Sequence, residues 1–187
     1  MNNQDEEQRN QELINSQTLL EKAGLEKKMT IADLGCGRRG YFTLQAAKLV
    51  GNEGLIYAVD VVKSALENVE NAARTFNFAN IKTIWADLEV PGATKIPDAS
   101  VDLAILNNVL FQTEKRKSVI QEALRILKRH GRLLITDWKK DKTLFGPPRQ
   151  NRIESKQIIE YAQQIGLNLV NEIDAGLYHY ALILEKK

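Results

Sequence analysis

Between residues 33 and 40 the chain reads Asp-Leu-Gly-Cys-Gly-Arg-Arg-Gly, which sets Gly35, Gly37 and Gly40 in the spacing G-x-G-x-x-G. Glycine has no Cβ, so such a segment can turn tightly and bring its backbone against a ligand. The spacing alone is a weak signal, but its surroundings strengthen it. A short apolar run precedes the glycines, a helical run follows them, and an acid, Asp60, ends the next apolar run about twenty residues on. A carboxylate at that place can accept from both hydroxyls of a ribose. The constellation points to a cofactor that contains a nucleoside.

The elements that must hold these residues alternate. Apolar runs at Thr30 to Leu34, Leu55 to Val59, Ile81 to Trp85, Val101 to Leu106 and Arg132 to Asp137 predict five strands. Helices are predicted over Tyr41 to Val50, from about Ser64 (where Ser64 and Glu67 have the spacing of a capping box), and over the segment whose face is Val119, Ile120, Ala123, Leu124 and Leu127. That last helix is expected to carry Lys128, Arg129 and His130 in its final turn, where cations suit the dipole, and to break at Gly131. Strands alternating with helices imply βαβ units and a mainly parallel sheet. The continuous apolar runs around Ile31, Ile56 and Ile105 imply strands covered on both faces. Near the end, a helix from Ser155 to Ile165 precedes strands at Leu167 to Ile173 and Tyr178 to Leu184, whose short joint requires an antiparallel pair. At the other end, a polar tail leads into an amphipathic helix from about Gln11 to Ala23, with Gly24 as its C-terminal cap.

Composition narrows the class. The chain has 187 residues, 43% of them apolar, with a formal net charge of +2; these values suit one ordinary globular domain and demand neither nucleic acid nor a membrane surface. One cysteine, Cys36, permits no intrachain disulfide and no thiolate zinc cluster, so no metal is expected. The opening residues fit neither a signal peptide nor a transit peptide, and a cytoplasmic protein is the expectation.

Asp33 helps to choose among nucleoside cofactors. It stands two residues before Gly35. There it would repel the pyrophosphate that a dinucleotide places at a helix N-terminus, but it suits the ammonium of a methionine moiety. A nicotinamide oxidoreductase would also call for a further substrate domain. With these residues in view, the chain from about Met29 onward resembles the class I S-adenosylmethionine-dependent methyltransferases, in particular the small ones similar to the ubiquinone/menaquinone-biosynthesis type. Four stretches carry the resemblance: Ile31 to Gly37, Tyr57 to Asp60, Ala86-Asp87-Leu88, and Leu127 to Ile135. It implies a single-domain Rossmann-like α/β fold over residues 29–187, preceded by a tail and helix over 1–28. The sheet would be seven-stranded and mainly parallel, with a C-terminal antiparallel hairpin and helices on both faces. S-adenosylmethionine is the implied cofactor. By the same resemblance Gly35, Cys36 and Gly37 would lie against the methionine and ribose. Asp33 would orient the amine, Asp60 with Val61 would hold the ribose, and Asp87 with the Leu88 N–H would hold the adenine. Asn107 would line the methionine end and the acceptor side.

Methyl transfer from a sulfonium is an in-line displacement that asks the protein mainly for orientation. A base is needed only for an acceptor that must lose a proton, with Asp137 and Asn107 as weak candidates for catalytic groups. His179, in an alternating run, reads as structural, as does Cys36. Asn107-Asn108-Val109-Leu110 stands where DNA base-amino methyltransferases have Pro-Pro-aromatic, and the single cysteine argues against the cytosine-C5 and arsenite enzymes. The loop from Lys139 to Glu154, with Lys139, Lys140, Lys142, Arg149 and Arg152, could hold an acidic acceptor or be a solvated loop. A small-molecule acceptor is expected. RNA, for which the cations are too dispersed, and a non-catalytic S-adenosylmethionine-binding subunit are the alternatives.

Overall fold

In the computed structural model, residues 14–140 and 145–187 are described. The expected start of the first helix at Gln11, and Lys142 of the long loop, fall outside them. Among the described residues five α-helices and seven strands follow in the order α1 (Ser16–Lys22), β1 (Thr30–Leu34), α2 (Tyr41–Val50), β2 (Leu55–Asp60), α3 (Lys63–Thr75), β3 (Ile81–Trp85), β4 (Val101–Asn107), α4 (Arg116–Ile126), β5 (Leu127–Trp138), α5 (Ser155–Gln164), β6 (Leu167–Asp174) and β7 (His179–Lys186). The sheet order is β3-β2-β1-β4-β5-β7-β6. The first five strands are parallel, and β7 runs antiparallel between β5 and β6. The chain reverses its direction of travel across the sheet between β1 and β4, the switch point at which open α/β sheets leave a crevice beyond the carboxyl ends of their strands.

Each face of the sheet has its own core. Leu19 and Leu20 of α1 and Phe42, Ala46 and Val50 of α2 pack on Ile31, Ile56, Leu103, Ile105, Leu134 and Ile183. Val119, Ile120, Ala123 and Ile126 of α4 and Ile158 and Ala162 of α5 pack on Ala32, Leu34, Ala104, Leu106, Leu133 and Ile135. Neighbouring residues of β1, β4 and β5 thus go to opposite cores, which is why those strands read as continuous apolar runs.

Two expectations are corrected. The helix α4 ends at Ile126, and Leu127 already pairs with Val101, so Lys128, Arg129 and His130 lie in strand β5 and not in a helical turn. The register shifts between Val101 and Leu103, His130 takes a φ of 61°, and a Cβ on Gly131 would stand 2.9 Å from the Lys128 carbonyl oxygen. Gly131 therefore serves a bulge, where backbones approach closely. Lys128 pairs with Asp102 at 2.7 Å instead of meeting a helix dipole. At α3 the N-cap is Val62 and no side chain caps it, so Ser64 and Glu67 form no capping box; Asp60 accepts from the Val62 N–H in its place.

Away from the switch point the connection between β3 and β4 is anchored by Glu122 of α4, which is 2% exposed. Its carboxylate accepts from the Gly92 N–H at 3.0 Å, the Thr94 hydroxyl at 2.6 Å and the Arg125 guanidinium at 2.7 Å. Removing one member of a buried ionic network strands the others, so Glu122→Ala should cost about 2–4 kcal/mol, read as a lower urea midpoint at unchanged m.

Candidate functional site

A cavity of about 420 Å³ opens at the carboxyl ends of β1, β2, β3 and β4, lined in part by Gly35, Gly37, Asp60, Val61, Asp87 and Leu88. That volume falls in the range of small-ligand and cofactor pockets, roughly 300–1,000 Å³. Asp60, at the tip of β2, is 9% exposed. One of its oxygens accepts from the Gly37 N–H and the other from the Val62 N–H, both at 2.9 Å. A carboxylate has about four lone-pair sites, so each oxygen keeps one for a further donor. At the far side Asp87 is exposed to the cavity and accepts from the Glu89 N–H at 2.9 Å, which fixes its carboxylate. The glycine loop gives the cavity a bare backbone wall. At Gly35 (φ 84°) a Cβ would come within 2.6 Å of Val109, whereas at Gly37 (φ 67°) a Cβ would meet nothing and would only cover the backbone. Arg38, exposed, stands at the rim.

Asp33 is 1% exposed and lies behind the cavity wall. It accepts from the Thr43 hydroxyl at 2.6 Å, in the first turn of α2. Burial raises its pKa from 3.8 to about 6, against the lowering effect of Thr43, and the charge of Asp60 adds to the rise. Among the described residues no cation pairs with it. A buried carboxylate in want of a positive charge, two open lone pairs on Asp60 and a backbone wall without side chains together fit S-adenosylmethionine, whose ends are an ammonium-bearing amino acid and a nucleoside.

Other expected site residues are placed differently. Cys36 turns away from the cavity: its N–H donates to the Val59 carbonyl, and its side chain packs with Ala58, Leu66 and Val69. Burial and the charges of Asp33 and Asp60 raise its thiol pKa well above the usual range. Asn107 is half-buried, outside the cavity lining, and its amide oxygen accepts from the Thr136 hydroxyl. Asp137 is wholly buried and accepts from the N–H groups of Trp138 and Phe111. Burial pushes its pKa up to about 7 despite those donors. It points to the α4–α5 face, with Tyr180 opposite it, and pins the turn Leu110–Gln112 that follows β4. Strand alternation places it on the sheet face opposite that of Asn107.

The described cations of the long loop are also engaged within the protein. Lys139 binds Asp174 and the Gly176 carbonyl, Lys140 pairs with Glu154, Arg149 donates to the Lys140 carbonyl, and Arg152 donates to the carbonyls of Lys139, Phe145 and Pro147. The wall that sequence reasoning missed is Val62, Glu89, Val109, Gln112 and Thr113. Glu89 accepts from the Thr113 hydroxyl at 2.5 Å and joins the segment after β3 to that after β4. The available signal was position: both segments leave the carboxyl ends of strands that flank the glycine loop.

This arrangement of a switch-point cavity, a bare glycine loop and acids at the tips of β1, β2 and the segment after β3 defines the class of S-adenosylmethionine-dependent methyltransferases. Residues 25–175 match the family model described as "Methyltransferase domain", and the chain belongs to that family. Among curated relatives it is 33% identical over 129 residues to the arsenite methyltransferase of Aquipseudomonas alcaligenes, covering 66% of this chain and 36% of that protein. It is 27% identical over 119 residues to the ubiquinone/menaquinone biosynthesis C-methyltransferase UbiE of Citrobacter koseri, covering 63% of this chain and 46% of that one. The chain thus spans less than half the length of these two relatives. A structure of a SAM-dependent methyltransferase from Aquifex aeolicus superposes with a TM-score of 0.84 at 22% identity, covering 94% of this chain and 92% of that one, and shares the fold. Among the described residues no helix is long and apolar enough to cross a membrane.

The raised pKa of Asp33 makes a signed prediction. The unfolded chain releases this proton near 3.8 and the folded chain near 6, so between those values the folded state holds more protons and stability falls as pH rises. Asp137 adds to the same slope up to about 7. Asp33→Asn removes its share, so the variant should gain about 1 kcal/mol on the wild type between pH 5 and pH 8, read from urea unfolding at both.

Proposed function

We propose that this chain transfers the methyl group of S-adenosylmethionine to a small-molecule acceptor by in-line displacement. The observation that carries the reading is the Asp60 carboxylate, held by two backbone N–H groups at the cavity wall with one lone pair on each oxygen to spare. In this reading Asp60 takes both ribose hydroxyls, with Val61 alongside. Asp87 takes the exocyclic amine of the adenine and the Leu88 N–H a ring nitrogen. Gly35 and Gly37 let the backbone lie against the ribose and methionine. Asp33 supplies charge for the ammonium from behind the loop, and a bound ammonium would keep it ionised. Asn107 marks the side from which the acceptor approaches.

When bound, S-adenosylmethionine supplies a methyl group already activated by its sulfonium. The protein's part is then to orient and to exclude water. The arsenite named for one relative is not favoured, since the single thiol, Cys36, is buried and held protonated. The division into a tail and helix over 1–28 and a catalytic domain over 29–187 belongs to this proposal, as does a cytoplasmic location. DNA is not favoured as acceptor, and neither is RNA, because the described loop cations are engaged within the protein.

Thermal unfolding tests the reading. S-adenosylmethionine or its demethylated product at a hundred times its dissociation constant should add about 2.7 kcal/mol, a rise of about 5–10 °C in a domain of this size. Asp87→Ala and Asp60→Ala should reduce the rise and NADH should give none. A rise with NADH alone would sink the proposal.

A further inference from the structure

The helix α2 begins without a cap of its own. Gly40 precedes it in the left-handed region at φ 54°, no side chain caps it, and its first turn holds no acid. A helix N-terminus leaves N–H groups unpaired and favours a negative charge beside it. Here the charge comes from another element. Asp33, at the fourth place of β1, lies against Thr43, the third residue of α2. Both the hydroxyl and the N–H of Thr43 lower the pKa of Asp33.

Thr43 is 0% exposed, so its hydroxyl has to find a partner inside the protein. The 2.6 Å from that hydroxyl to Asp33 Oδ2 falls in the range of a charge-assisted O–H···O⁻ bond, about 2.5–2.7 Å. In mid-helix a threonine hydroxyl often turns back to a carbonyl of the preceding turn. At the third place of α2 the preceding turn is the glycine loop, and the Gly40 carbonyl there takes the Leu44 N–H. The hydroxyl turns to β1 instead. The bond uses one lone pair of Oδ2, and the carboxylate keeps others for a cation.

The other neighbours of Asp33 do not favour its charge. Beside it in the sheet are Ala58 of β2 and Ile105 of β4, both 0% exposed. In the glycine loop the Cys36 thiol is held protonated by burial. At the tip of β2 the charge of Asp60 repels that of Asp33. From α2, Phe42 and Ala46 add only apolar surface. Among the described residues Thr43 is thus the group that opposes protonation of Asp33, against burial and Asp60.

We propose that Thr43 is a positioning residue for the cofactor: its hydroxyl keeps the Asp33 carboxylate charged and fixed behind the glycine loop, where it draws in the ammonium of the methionine moiety. Thr43 is fully buried and outside the cavity lining, so it acts through Asp33 and not by contact with the cofactor. The assignment rests on the S-adenosylmethionine reading of the cavity. Its sign follows from the charges. An ammonium is attracted by an ionised Asp33 and not by a neutral one, so affinity for the amino-acid part of the cofactor rises as Asp33 loses its proton. With Thr43 in place that proton leaves near pH 6. Without the hydroxyl it leaves at higher pH. The loss of one hydrogen bond to a charged group is enough to move this midpoint by about one to two pH units.

The test compares two ligands by calorimetry across the pH range of the Asp33 proton. S-adenosylhomocysteine carries the ammonium, and 5′-methylthioadenosine has the same nucleoside without the amino-acid group. Thr43→Val removes the hydroxyl and Thr43→Ser keeps it. In Thr43→Val the midpoint of S-adenosylhomocysteine affinity should rise by about one to two pH units, with a loss of about tenfold at the wild-type midpoint. Thr43→Ser should restore both, and 5′-methylthioadenosine should bind all three proteins alike. The ligand's own amine titrates in the same way with each protein and cancels. An unmoved midpoint in Thr43→Val, or equal losses for the two ligands, would overturn the proposal and leave Thr43 as a packing group. If Thr43→Val does not fold, the unsubstituted protein decides. Its Thr43 amide resonance should titrate with Asp33 in the free protein and stand still with S-adenosylhomocysteine bound, and an amide that titrates identically in both states would remove the role. The two readings also fail differently. Wild-type protein that binds neither ligand loses the cofactor reading itself, whereas 5′-methylthioadenosine binding with an unmoved midpoint removes only the role of Thr43.

Discussion

The Asp60 carboxylate is the constraint on which the cavity depends. It reaches across to the glycine loop through the Gly37 N–H and back along its own chain through the Val62 N–H. One side chain thereby closes the turn after β1, starts α3 and still faces the cavity with half its accepting capacity. Its place at the tip of β2 follows from the parallel pairing of β1 with β2, in which Leu34 lies beside Val59. The Gly35 and Cys36 N–H groups both donate to the Val59 carbonyl, which folds the loop over the same strand end. Backbone polar groups that a tight loop would leave unpaired are in this way matched before any ligand arrives.

The second organising fact is that the sheet has two faces with different work. On the α4–α5 face, Asp137 is drawn into the core to hold the turn after β4, and the network of Glu122 holds the segment before β4. Both acids hold backbone N–H groups of segments that flank β4. On the α1–α2 face, Asp33, Asn107 and Thr136 lie along the carboxyl edge. Because side chains alternate along a strand, one residue of offset separates Asp137 from Trp138 and sends them to opposite sides. Membership in the methyltransferase domain family rests on residues 25–175, which hold both faces of the sheet and the switch-point cavity. The two curated relatives differ from each other in named substrate, and the chain spans less than half of each.

The segment between β5 and α5 shows how a charged sequence can mislead. Read linearly, its lysines and arginines look like a cradle for an anion. Folded, Arg152 is 5% exposed and spends its donors on carbonyls of its own loop. A loop of this length crossing the sheet edge must pair its backbone acceptors, and a guanidinium with its fixed fan of donors does so for several at once.

The order of strands and helices, the antiparallel end, the glycine loop and Asp60 were legible in the sequence, because each rests on local chemistry: apolar runs, glycine conformations and the spacing of one βαβ unit; Asp87 was marked by the resemblance alone. The limits of α2, β1 and β3 were read to the residue for the same reason. What the sequence did not decide was set by contacts between distant residues. Leu127 to His130 continue a helical pattern until pairing with Val101 turns them into a strand. Val62 displaces the Ser64 cap because Asp60 reaches its N–H. Thr113 meets Glu89 only because the segments after β3 and β4 converge. Whether Asp137 faces a ligand or a core depends on strand register, which a single residue of offset inverts. Local propensity determined the elements and the cofactor loop; long-range pairing decided which side chains share a face.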